Sequence, residues 1–405
     1  MDKPMQGIRV LELATYVAGP VCGRLLADLG ADVIKVEALS GDAWRQSGKS
    51  YNPRFTDDEN PVFDIYNSGK RCISLNLKDP AGMEAFHKLL AEADVFVTNT
   101  RPKSLRKLGI YYDDIKDRYP ELIYGILLGY GEEGPDKDLP AFDVTAFWAR
   151  GGFLADTGEA GEHYTPTMAP FGVGDSVTGS MLFGEICAAL FRRERTGKGD
   201  FVRAGLYHNA IFTMGTMEIV TQKPWGTVYP RTSLEAGMQG HYRCADNEWV
   251  YLATGNALVT LSKVSGIIAD PELASDPRFQ TPEGRREHRE ELHTRLAEGF
   301  IKQSADYWRQ KAKELDLPMA KLTHFSDVTT DEQAWANGYL EQVTFRSGAE
   351  FAMPRSPLSM DSVGELKTQC APLLGTNTRE VLAELGYSEQ EIEQMKQTGA
   401  IGTRD

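Results

Sequence analysis

The first 130 residues alternate short apolar, strand-like runs with helical runs, and this alternation limits the possible folds more than any other feature of the chain. The segments IRVLELA (8–14), ADVIKVEA (31–38), KRCISLNL (70–77), DVFVTN (94–99) and ELIYGILLGYG (121–131) are the strand-like runs. Helical segments lie between them. Strands that alternate with helices predict a mostly parallel sheet with helices on both faces. The sequence therefore predicts an α/β fold.

Two helix starts carry clear capping signals. Asp79 precedes Pro80, which predicts a helix from Pro80 because Asp caps the free N–H groups and Pro fits the first turn. Ser388 and Glu391 have the spacing of a capping box, which predicts a short helix near the C-terminus.

A change of pattern near residue 225 predicts a second domain. Residues 225–327 combine short strand-like pieces, as in GHYRCADNEWVYLATG, with charged helices, as in GRREHREELHTRLAEGF. We predict that residues 1–224 form the first part of a large domain and that residues 225–327 form a smaller α+β domain. Residues 328–405 form a C-terminal segment of short helices.

The charge and the cysteine pattern argue against several classes of function. The net charge of -14 argues against nucleic acid or an anionic membrane as the main partner. The five cysteines are dispersed without a CxxC pair, and the seven histidines form no HExxH motif, so neither a disulfide framework nor a metal site is expected. No run is long enough to span a membrane, and the start lacks the apolar core of a signal peptide. We expect a soluble, cytoplasmic protein.

Two nucleotide-binding motifs are incomplete. RQSGKS (45–50) resembles the end of a P-loop, but Ala43 stands where that motif needs Gly. The turn after the first strand offers Gly19 and Gly23 instead of a full GxGxxG, which makes NAD binding a weak hypothesis. A helix N-terminus at this turn still suits the phosphates of another adenine nucleotide.

Basic residues follow the third and fourth predicted strands. Lys78 follows one strand, and Arg101, Lys103, Arg106 and Lys107 follow the next. Ligands of open α/β sheets bind outside the carboxyl ends of strands, so these cations predict a polyanion site in an otherwise acidic protein. The alternative is a solvated helix face.

The segment MAPFGVGDSVTGS (168–180) places Asp175 at the start of a long amphipathic run. Asp at such a position is typical of a helix N-cap, worth about 1 kcal/mol. The same geometry suits a nucleophile, because Gly172 and Gly174 leave open approach and the first N–H groups of a helix stabilise an oxyanion. The following face is predicted to bury a set of apolar residues before Gly197 closes the helix: Met181, Leu182, Ile186, Leu190 and Phe191.

Several segments in the same order resemble the family III CoA-transferases, the group that contains formyl-CoA transferase and the carnitine CoA-transferase. These segments are GIRVLELATYVAGPVCGRLLADLGADVIKVE, KRCISLNLKDPAG, VTNTRP, MAPFGVGDSVTGSM, RRERTGKGD and APLLGTNTREVLAELGYSEQEI. The resemblance spans essentially the whole chain. It implies a Rossmann-like large domain, a small domain, C-terminal helices that return to the large domain, and an interlocked-ring homodimer.

The resemblance also assigns roles to residues. It makes Asp175 the nucleophile, which forms an aspartyl anhydride and then an aspartyl-CoA thioester. Coenzyme A or acyl-CoA is then a substrate and no cofactor is permanently bound, while small carboxylic acids are the other partners. The family's CoA contacts match nine positions: Val17, Ala18, Leu75, Asn76, Lys78, Asn99, Thr100, Arg101 and Lys107.

Departures from the family pattern reduce the range of acids that we expect as substrates. An arginine and a lysine that formyl-CoA transferase uses match Ala38 and Pro140, and its oligoglycine loop has no counterpart in EAGMQGHYRCADNEW. These differences argue against a formyl or oxalyl substrate, and a carnitine-type transferase is a further alternative. The segments GPDKDLPAFDVTAFWARGG and DEQAWANGYL look most like the branch acting on 2-hydroxyacids, which includes the phenyllactate and 2-hydroxyisocaproate CoA-transferases.

The α-methylacyl-CoA racemases share the implied fold and are the main rival. Their catalytic His matches Phe142, which cannot transfer a proton. We assign Phe142, Asp143, Gly172 and Gly174 to the substrate pocket. Phe147 and Trp148 line that pocket or belong to the core.

Overall fold

The computed structural model describes residues 3–51, 55–158, 165–226 and 237–404. Its strands are β1 (Arg9–Leu13), β2 (Asp32–Glu37), β3 (Arg71–Leu75), β4 (Val95–Thr98), β5 (Ile123–Leu128), β6 (Asp200–Gly205), β7 (Gly240–Arg243), β8 (Trp249–Leu252), β9 (Met319–Lys321), β10 (Leu340–Thr344), β11 (Glu350–Pro354) and β12 (Ile401–Gly402).

Helices occupy most of the remaining described chain. In the first half they are α1 (Ala18–Asp28), α2 (Trp44–Tyr51), α3 (Pro61–Asn67), α4 (Pro80–Glu92), α5 (Pro102–Leu108), α6 (Tyr112–Ile115), a π-helix (Asp143–Ala149), α7 (Phe153–Asp156) and α8 (Val173–Thr196). They continue with α9 (Leu206–Val220), α10 (Ala257–Ile267), α11 (Glu272–Ser275), a 3-10 helix (Pro277–Phe279), α12 (Pro282–Glu287), α13 (Arg289–Phe300), α14 (Ala305–Leu315), α15 (Phe325–Val328), α16 (Glu332–Ala336), α17 (Thr378–Glu384) and α18 (Glu389–Thr398).

The chain divides into two compact units. The first contains Met1–Gly151, Ala169–Gly215 and Thr329–Asp405, and the second contains Gly152–Met168 and Thr216–Val328. The division falls within α9. The limits 225 and 327 that the sequence suggests for the small domain stay a prediction, and residues 227–236 of that region lie outside the described residues.

A seven-stranded sheet in the order β12-β3-β2-β1-β4-β5-β6 forms the centre of the first unit. All neighbouring strands are parallel except β12, which pairs antiparallel with β3. The central strand β1 places Leu11 opposite both Ile34 and Phe96, and all three are buried. Such strands are rich in apolar residues because both of their faces are covered, although β1 and β2 also bury the charged residues Glu12, Lys35 and Glu37. The predicted α/β fold with a large, mostly parallel sheet is confirmed.

The C-terminal segment closes the first unit. Helices α17 and α18 contribute Val381, Leu382, Ile392 and Met395 to the main core, and the strand β12 pairs with β3. Asp64 accepts a hydrogen bond from the backbone N–H of Ala371 at 3.0 Å. The last 35 residues are therefore integral to the unit that carries the large sheet.

The second unit has its own core. Strands β7, β8 and β9 form an antiparallel sheet, and buried residues such as Tyr242, Leu252, Phe300 and Trp308 belong to one apolar cluster. The Trp308 indole N–H donates to the Phe300 carbonyl at 2.7 Å, so this large buried ring has its polar atom satisfied.

The described part of the chain lacks a membrane-spanning helix and a cluster of metal ligands. There, no helix is long and apolar enough to cross a membrane. The same residues form no group of three or more His, Cys, Asp or Glu side chains able to hold a metal ion.

Candidate active site

The turns after β1 and β4 are joined by one amide side chain. The Thr15 N–H donates to Asn99 Oδ1 at 3.0 Å, and Asn99 Nδ2 donates to the Thr15 carbonyl at 2.7 Å. These turns follow the carboxyl ends of adjacent parallel strands, where ligands of open sheets bind. These two hydrogen bonds hold the two turns together at the edge of the sheet where a ligand is expected.

Two cavities open beside these turns. The first, which we call the strand-end cavity, has a volume of about 270 Å³ and is lined by residues that include Thr15, Ala18, Asn99, Arg101, Gly129 and Lys137. The second, which we call the aromatic cavity, has a volume of about 360 Å³ and is lined by Tyr16, Val17, Trp44, Ser47, Phe142, Asp143, Val144, Phe171 and Asp175. Tyr16, Phe142 and Asp175 line both cavities. Asp175 therefore faces both spaces.

The position of Asp175 in its helix differs from the predicted one. Helix α8 begins at Val173, with Gly172 as its N-cap in the left-handed region at φ 76°. Asp175 is therefore the third residue of the helix, and the prediction that it is the cap is wrong. A glycine takes the cap position because the chain turns there through a conformation that residues with a Cβ adopt only with strain. Gly197 closes α8 as predicted.

Asp143 replaces Asp175 as the acceptor at the start of α8. Its carboxylate accepts the backbone N–H of Gly172 at 3.0 Å and the backbone N–H of Asp175 at 3.1 Å. Two of the N–H groups that the sequence offered as oxyanion donors are thus already bound to a carboxylate. Asp143 begins the π-helix and is buried, so it holds the nucleophile candidate's backbone in place.

Two neighbouring carboxyls in this site have perturbed acidity. Burial, and after it the charge of Asp143, raises the pKa of Asp175 to about 7. Burial also raises the pKa of Asp143, although the N–H groups of Gly172, Asp175 and Gly174 act in the opposite direction. A carboxyl that titrates near neutrality and faces two cavities is a candidate for chemistry.

Four of the positions assigned to CoA line the two cavities, and five do not. Ala18, Asn99 and Arg101 line the strand-end cavity, and Val17 lines the aromatic cavity. Lys78 and Lys107 are exposed, Asn76 and Thr100 are half-buried, and the Leu75 side chain lies in the main core. Leu75 can face a ligand only through its backbone.

The pocket residues divide in the same way. Phe142 lines both cavities, whereas Gly172 is the α8 cap and Gly174 packs closely against its neighbours. A Cβ on Gly174 would lie 2.3 Å from Asp143 Oδ1 and 2.3 Å from Phe147 Cγ. Phe147 is fully buried beneath this turn and lines neither cavity.

Several residues that the sequence did not assign to the site also line it. Tyr16, Trp44 and Phe171 supply aromatic rings to the aromatic cavity, and Lys137 lines the strand-end cavity. Pro140 stands at the position that matches a lysine of formyl-CoA transferase. Lys137 lies three residues before it, so the cavity still contains a lysine. Trp44 carried a usable signal, because its segment follows the carboxyl end of β2.

Comparison with known proteins decides the family. The sequence model that describes CoA-transferase family III matches residues 5–378. The chain belongs to CoA-transferase family III. The resemblance that the sequence suggested is confirmed, and the chain is an enzyme of a family that acts on CoA thioesters.

Named relatives of this CoA-transferase match along nearly its whole length. It is 38% identical to the (R)-2-hydroxy-4-methylpentanoate CoA-transferase of Clostridioides difficile, over 98% of this chain and 99% of the relative. It is 36% identical to the cinnamoyl-CoA:phenyllactate CoA-transferase of Clostridium sporogenes, over 98% of this chain and 97% of the relative. The crystal structure of a CAIB/BAIF family protein from Brucella suis is similar with a TM-score of 0.80 and 29% identity, over 95% of this chain and 100% of that one.

Proposed function

We propose that this CoA-transferase moves CoA from an acyl-CoA donor to a 2-hydroxycarboxylic acid, with Asp175 as the nucleophile. The observation that carries the proposal is the position of Asp175, which lines both cavities and titrates near neutrality. A nucleophile in this reaction must meet a thioester carbon that has CoA on one side and an acyl side chain on the other. Two cavities that meet at one carboxylate fit that requirement.

The composition of the cavities supports a role for each. The strand-end cavity carries the cations Arg101 and Lys137 and the amide of Asn99, groups that suit the polar pantetheine arm and phosphates of CoA. The aromatic cavity is walled by Tyr16, Trp44, Phe142 and Phe171, which suits an apolar acyl side chain. We assign CoA to the strand-end cavity and the acyl side chain to the aromatic cavity.

The first half of the reaction uses both carboxylate chemistry and the retained thiolate. An Asp175 oxygen attacks the thioester carbon, the C–S bond breaks, and CoA leaves as a thiolate beside a mixed anhydride. The thiolate then attacks the Asp175 carboxyl carbon and breaks its bond to the bridging oxygen. The donor acid departs with one oxygen of Asp175, and an aspartyl-CoA thioester remains.

The second half runs the same steps in reverse with the acceptor acid. The acceptor carboxylate attacks the Asp175 carbonyl, and CoA thiolate leaves again as a new anhydride forms. The thiolate attacks the acceptor's acyl carbon, and the product acyl-CoA departs. Asp175 regains its carboxylate with one oxygen from the acceptor, so every activated acyl group is exchanged for another.

The relatives support the class of acid. Their names specify a 2-hydroxy-4-methylpentanoate and a phenyllactate, both of which carry a bulky apolar side chain on a 2-hydroxyacid. Four aromatic rings around one cavity favour side chains of that kind over formate or oxalate. A panel of acceptors compared by kcat/KM tests this: the proposal fails on substrate class when oxalate or short unbranched acids exceed the bulky 2-hydroxyacids.

We further propose that the active form is an interlocked homodimer, in which a large domain formed by residues 1–224 and 328–405 carries the CoA site and residues 225–327 form the small domain. Several large apolar side chains are mostly exposed in the single chain, including Met168, Phe212 and Phe325, and a second copy would cover them. Sedimentation should show a particle of twice the chain mass at micromolar concentration. A well-folded monomer under those conditions would contradict the dimer.

Substitution of the nucleophile tests the reaction. Asp175→Ala and the near-isosteric Asp175→Asn should each reduce transfer by several orders of magnitude, about 10³-fold or more, since neither side chain can form an anhydride. Acyl-CoA binding and the melting temperature should remain close to the wild type. Transfer at a wild-type rate in either variant would overturn the assignment.

A further inference from the structure

Asp42 lies in a buried group of charges beneath the turn that follows β1. Its side chain is 1% exposed, and its Oδ2 lies 3.0 Å from Lys35 Nζ. Lys35 Nζ also contacts Glu12 Oε1 at 3.1 Å and donates to the Ala14 carbonyl at 2.7 Å. Ion pairs removed from water in this way are costly to form, and breaking one leaves a buried charge without its partner. Loss of one member of this group is therefore expected to destabilise the turn above it.

The other oxygen of Asp42 holds the backbone of two site residues. Asp42 Oδ1 accepts the N–H of Tyr16 at 3.1 Å and the N–H of Trp44 at 2.9 Å. Tyr16 has φ 63°, a left-handed conformation that a residue with a Cβ adopts only with strain. Lys35 fixes Ala14 on one side of this turn while Asp42 fixes Tyr16 on the other.

The two residues that Asp42 holds belong to one continuous set of aromatic contacts. The rings of Tyr16 and Trp44 lie 6.1 Å apart, Tyr16 meets Phe142 edge-on at 5.8 Å, and Trp44 stacks on Phe171 at 5.2 Å. These four rings line the aromatic cavity. A shift of Tyr16 or Trp44 would therefore change the shape of the whole wall.

We propose that Asp42 is a positioning residue for acyl selectivity: it locks Tyr16 and Trp44 in place so that the aromatic cavity prefers a branched or aromatic acyl group to a short one. The proposal rests on the proposed function, because it takes the aromatic cavity as the acyl site. Asp42 lines neither cavity, so it affects the aromatic cavity only through the residues that it holds.

The test compares donors in variants of Asp42. The ratio of kcat/KM for 4-methylpentanoyl-CoA to kcat/KM for acetyl-CoA should fall about 10- to 100-fold in Asp42→Ala, mostly through KM of the larger donor. Asp42→Asn keeps an oxygen acceptor for both N–H groups, so its ratio should stay within about threefold of the wild type while its melting temperature falls. Asp42→Ser, with a shorter acceptor, should give an intermediate ratio and serves as the readout where Asp42→Ala does not fold.

Asp28→Ala is the matched control. Asp28 is also buried and ion-paired, with Arg24 Nε at 2.8 Å, but it lines neither cavity. It should lower stability and leave the donor ratio unchanged. An unchanged ratio in folded Asp42→Ala or Asp42→Ser, a loss in Asp42→Asn as large as in Asp42→Ala, or an equal loss in Asp28→Ala would overturn the proposal. Failure of the proposed function would show itself separately, as no transfer from either donor by the wild type.

Discussion

Asp175 and Asp143 place two carboxyls at the first turn of one helix. Burial raises the pKa of both, and the charge of Asp143 further raises the pKa of Asp175. Asp175 must be ionised to attack a thioester, yet its pKa is raised to about 7. A carboxylate with a higher pKa is a stronger nucleophile once ionised, and the N-terminal end of α8 favours its negative charge. At neutral pH only part of the Asp175 population is therefore ionised, but the ionised form is the more reactive for its raised pKa.

The pH dependence of transfer follows from that pKa. Below about pH 7 Asp175 is mostly protonated and cannot attack, so kcat/KM should rise about tenfold between pH 6 and pH 8. Asp143→Asn removes the neighbouring charge, and the midpoint of the profile should move to lower pH. Asp156→Asn, which changes an exposed carboxyl, should leave the midpoint in place. A profile that is flat from pH 6 to pH 8 would contradict the role of Asp175.

A second buried carboxyl makes stability depend on pH. Burial raises the pKa of Asp64 to about 7, while the Ala371 N–H and the charges of Arg346 and Arg45 lower it less. Because its folded pKa exceeds its unfolded value of about 4, Asp64 contributes most stability below about pH 4, and that contribution is lost as pH rises from about 4 through 7.

Asp64→Asn should remove this loss. The amide oxygen still accepts the Ala371 N–H, so the free energy of unfolding at pH 8 should rise by about 1–3 kcal/mol and by much less at pH 5. Chemical denaturation at the two pH values measures the difference. The exposed Asp57→Asn should show no such difference between them. A variant that is less stable than the wild type at pH 8 would show that the ionised Asp64 is stabilising.

The residues of the site could be predicted where a local pattern marks them. Asp175 stood out because glycines precede it and an amphipathic run follows it. Tyr16 did not, because its role comes from a left-handed turn and from contacts with Trp44 and Phe142, which lie 28 and 126 residues away in the chain. The sequence did not indicate that Asp143 accepts hydrogen bonds at the start of α8, because Asp143 belongs to a different segment of the chain.

At the scale of helices, the contact between α1 and α8 places Asp175 beside the first turn. Gly179, one turn after Asp175, packs against α1 so closely that a Cβ would lie 2.3 Å from the Ala18 carbonyl and 2.8 Å from Val21 Cβ. The main-chain atom cannot move aside without shifting α1. The distance between the helices is thus set by a glycine.

Gly179→Ala should separate the two helices and move Asp175 relative to Ala18. We expect transfer to fall about 10- to 100-fold and the free energy of unfolding to fall by about 1–3 kcal/mol. Gly184→Ala is the control in the same helix, because a Cβ there meets nothing within 4 Å. It should raise stability by about 0.5–1 kcal/mol and leave transfer unchanged. Equal effects of the two substitutions would refute this account of the helix contact.

Helix ends were predictable when the cap is local in sequence. Asp79 caps α4, with its side chain accepting from Ala81 N and Gly82 N, and Ser388 and Glu391 form the predicted capping box of α18. The apolar face of α8 was only partly predicted: Leu182, Ile186 and Leu190 are buried, but Met181 and Phe191 are exposed. Periodicity finds a helix, whereas tertiary contacts decide how wide its buried face is.

At the scale of the molecule, the C-terminal helices pack into the core of the same unit as the N-terminal strands. Leu382 in α17 is fully buried in the main core. Leu382→Ala should lower the free energy of unfolding by about 2–5 kcal/mol, because it leaves a cavity far from the active site in sequence. Leu258→Ala removes a half-exposed side chain and should cost about 1 kcal/mol or less. A cost for Leu382→Ala as small as for Leu258→Ala would mean that the C-terminal segment adds little to the fold.

The central claim is that Asp175 is covalently acylated in each turnover, and oxygen labelling tests it most directly. The enzyme is incubated with an acyl-CoA donor and an acceptor acid whose carboxylate carries ¹⁸O. The mass of the peptide that contains Asp175 is then measured by mass spectrometry. The account predicts ¹⁸O in the Asp175 side chain and, after further turnovers, in the released donor acid. Sustained transfer with no ¹⁸O in that peptide would show that Asp175 is not the nucleophile.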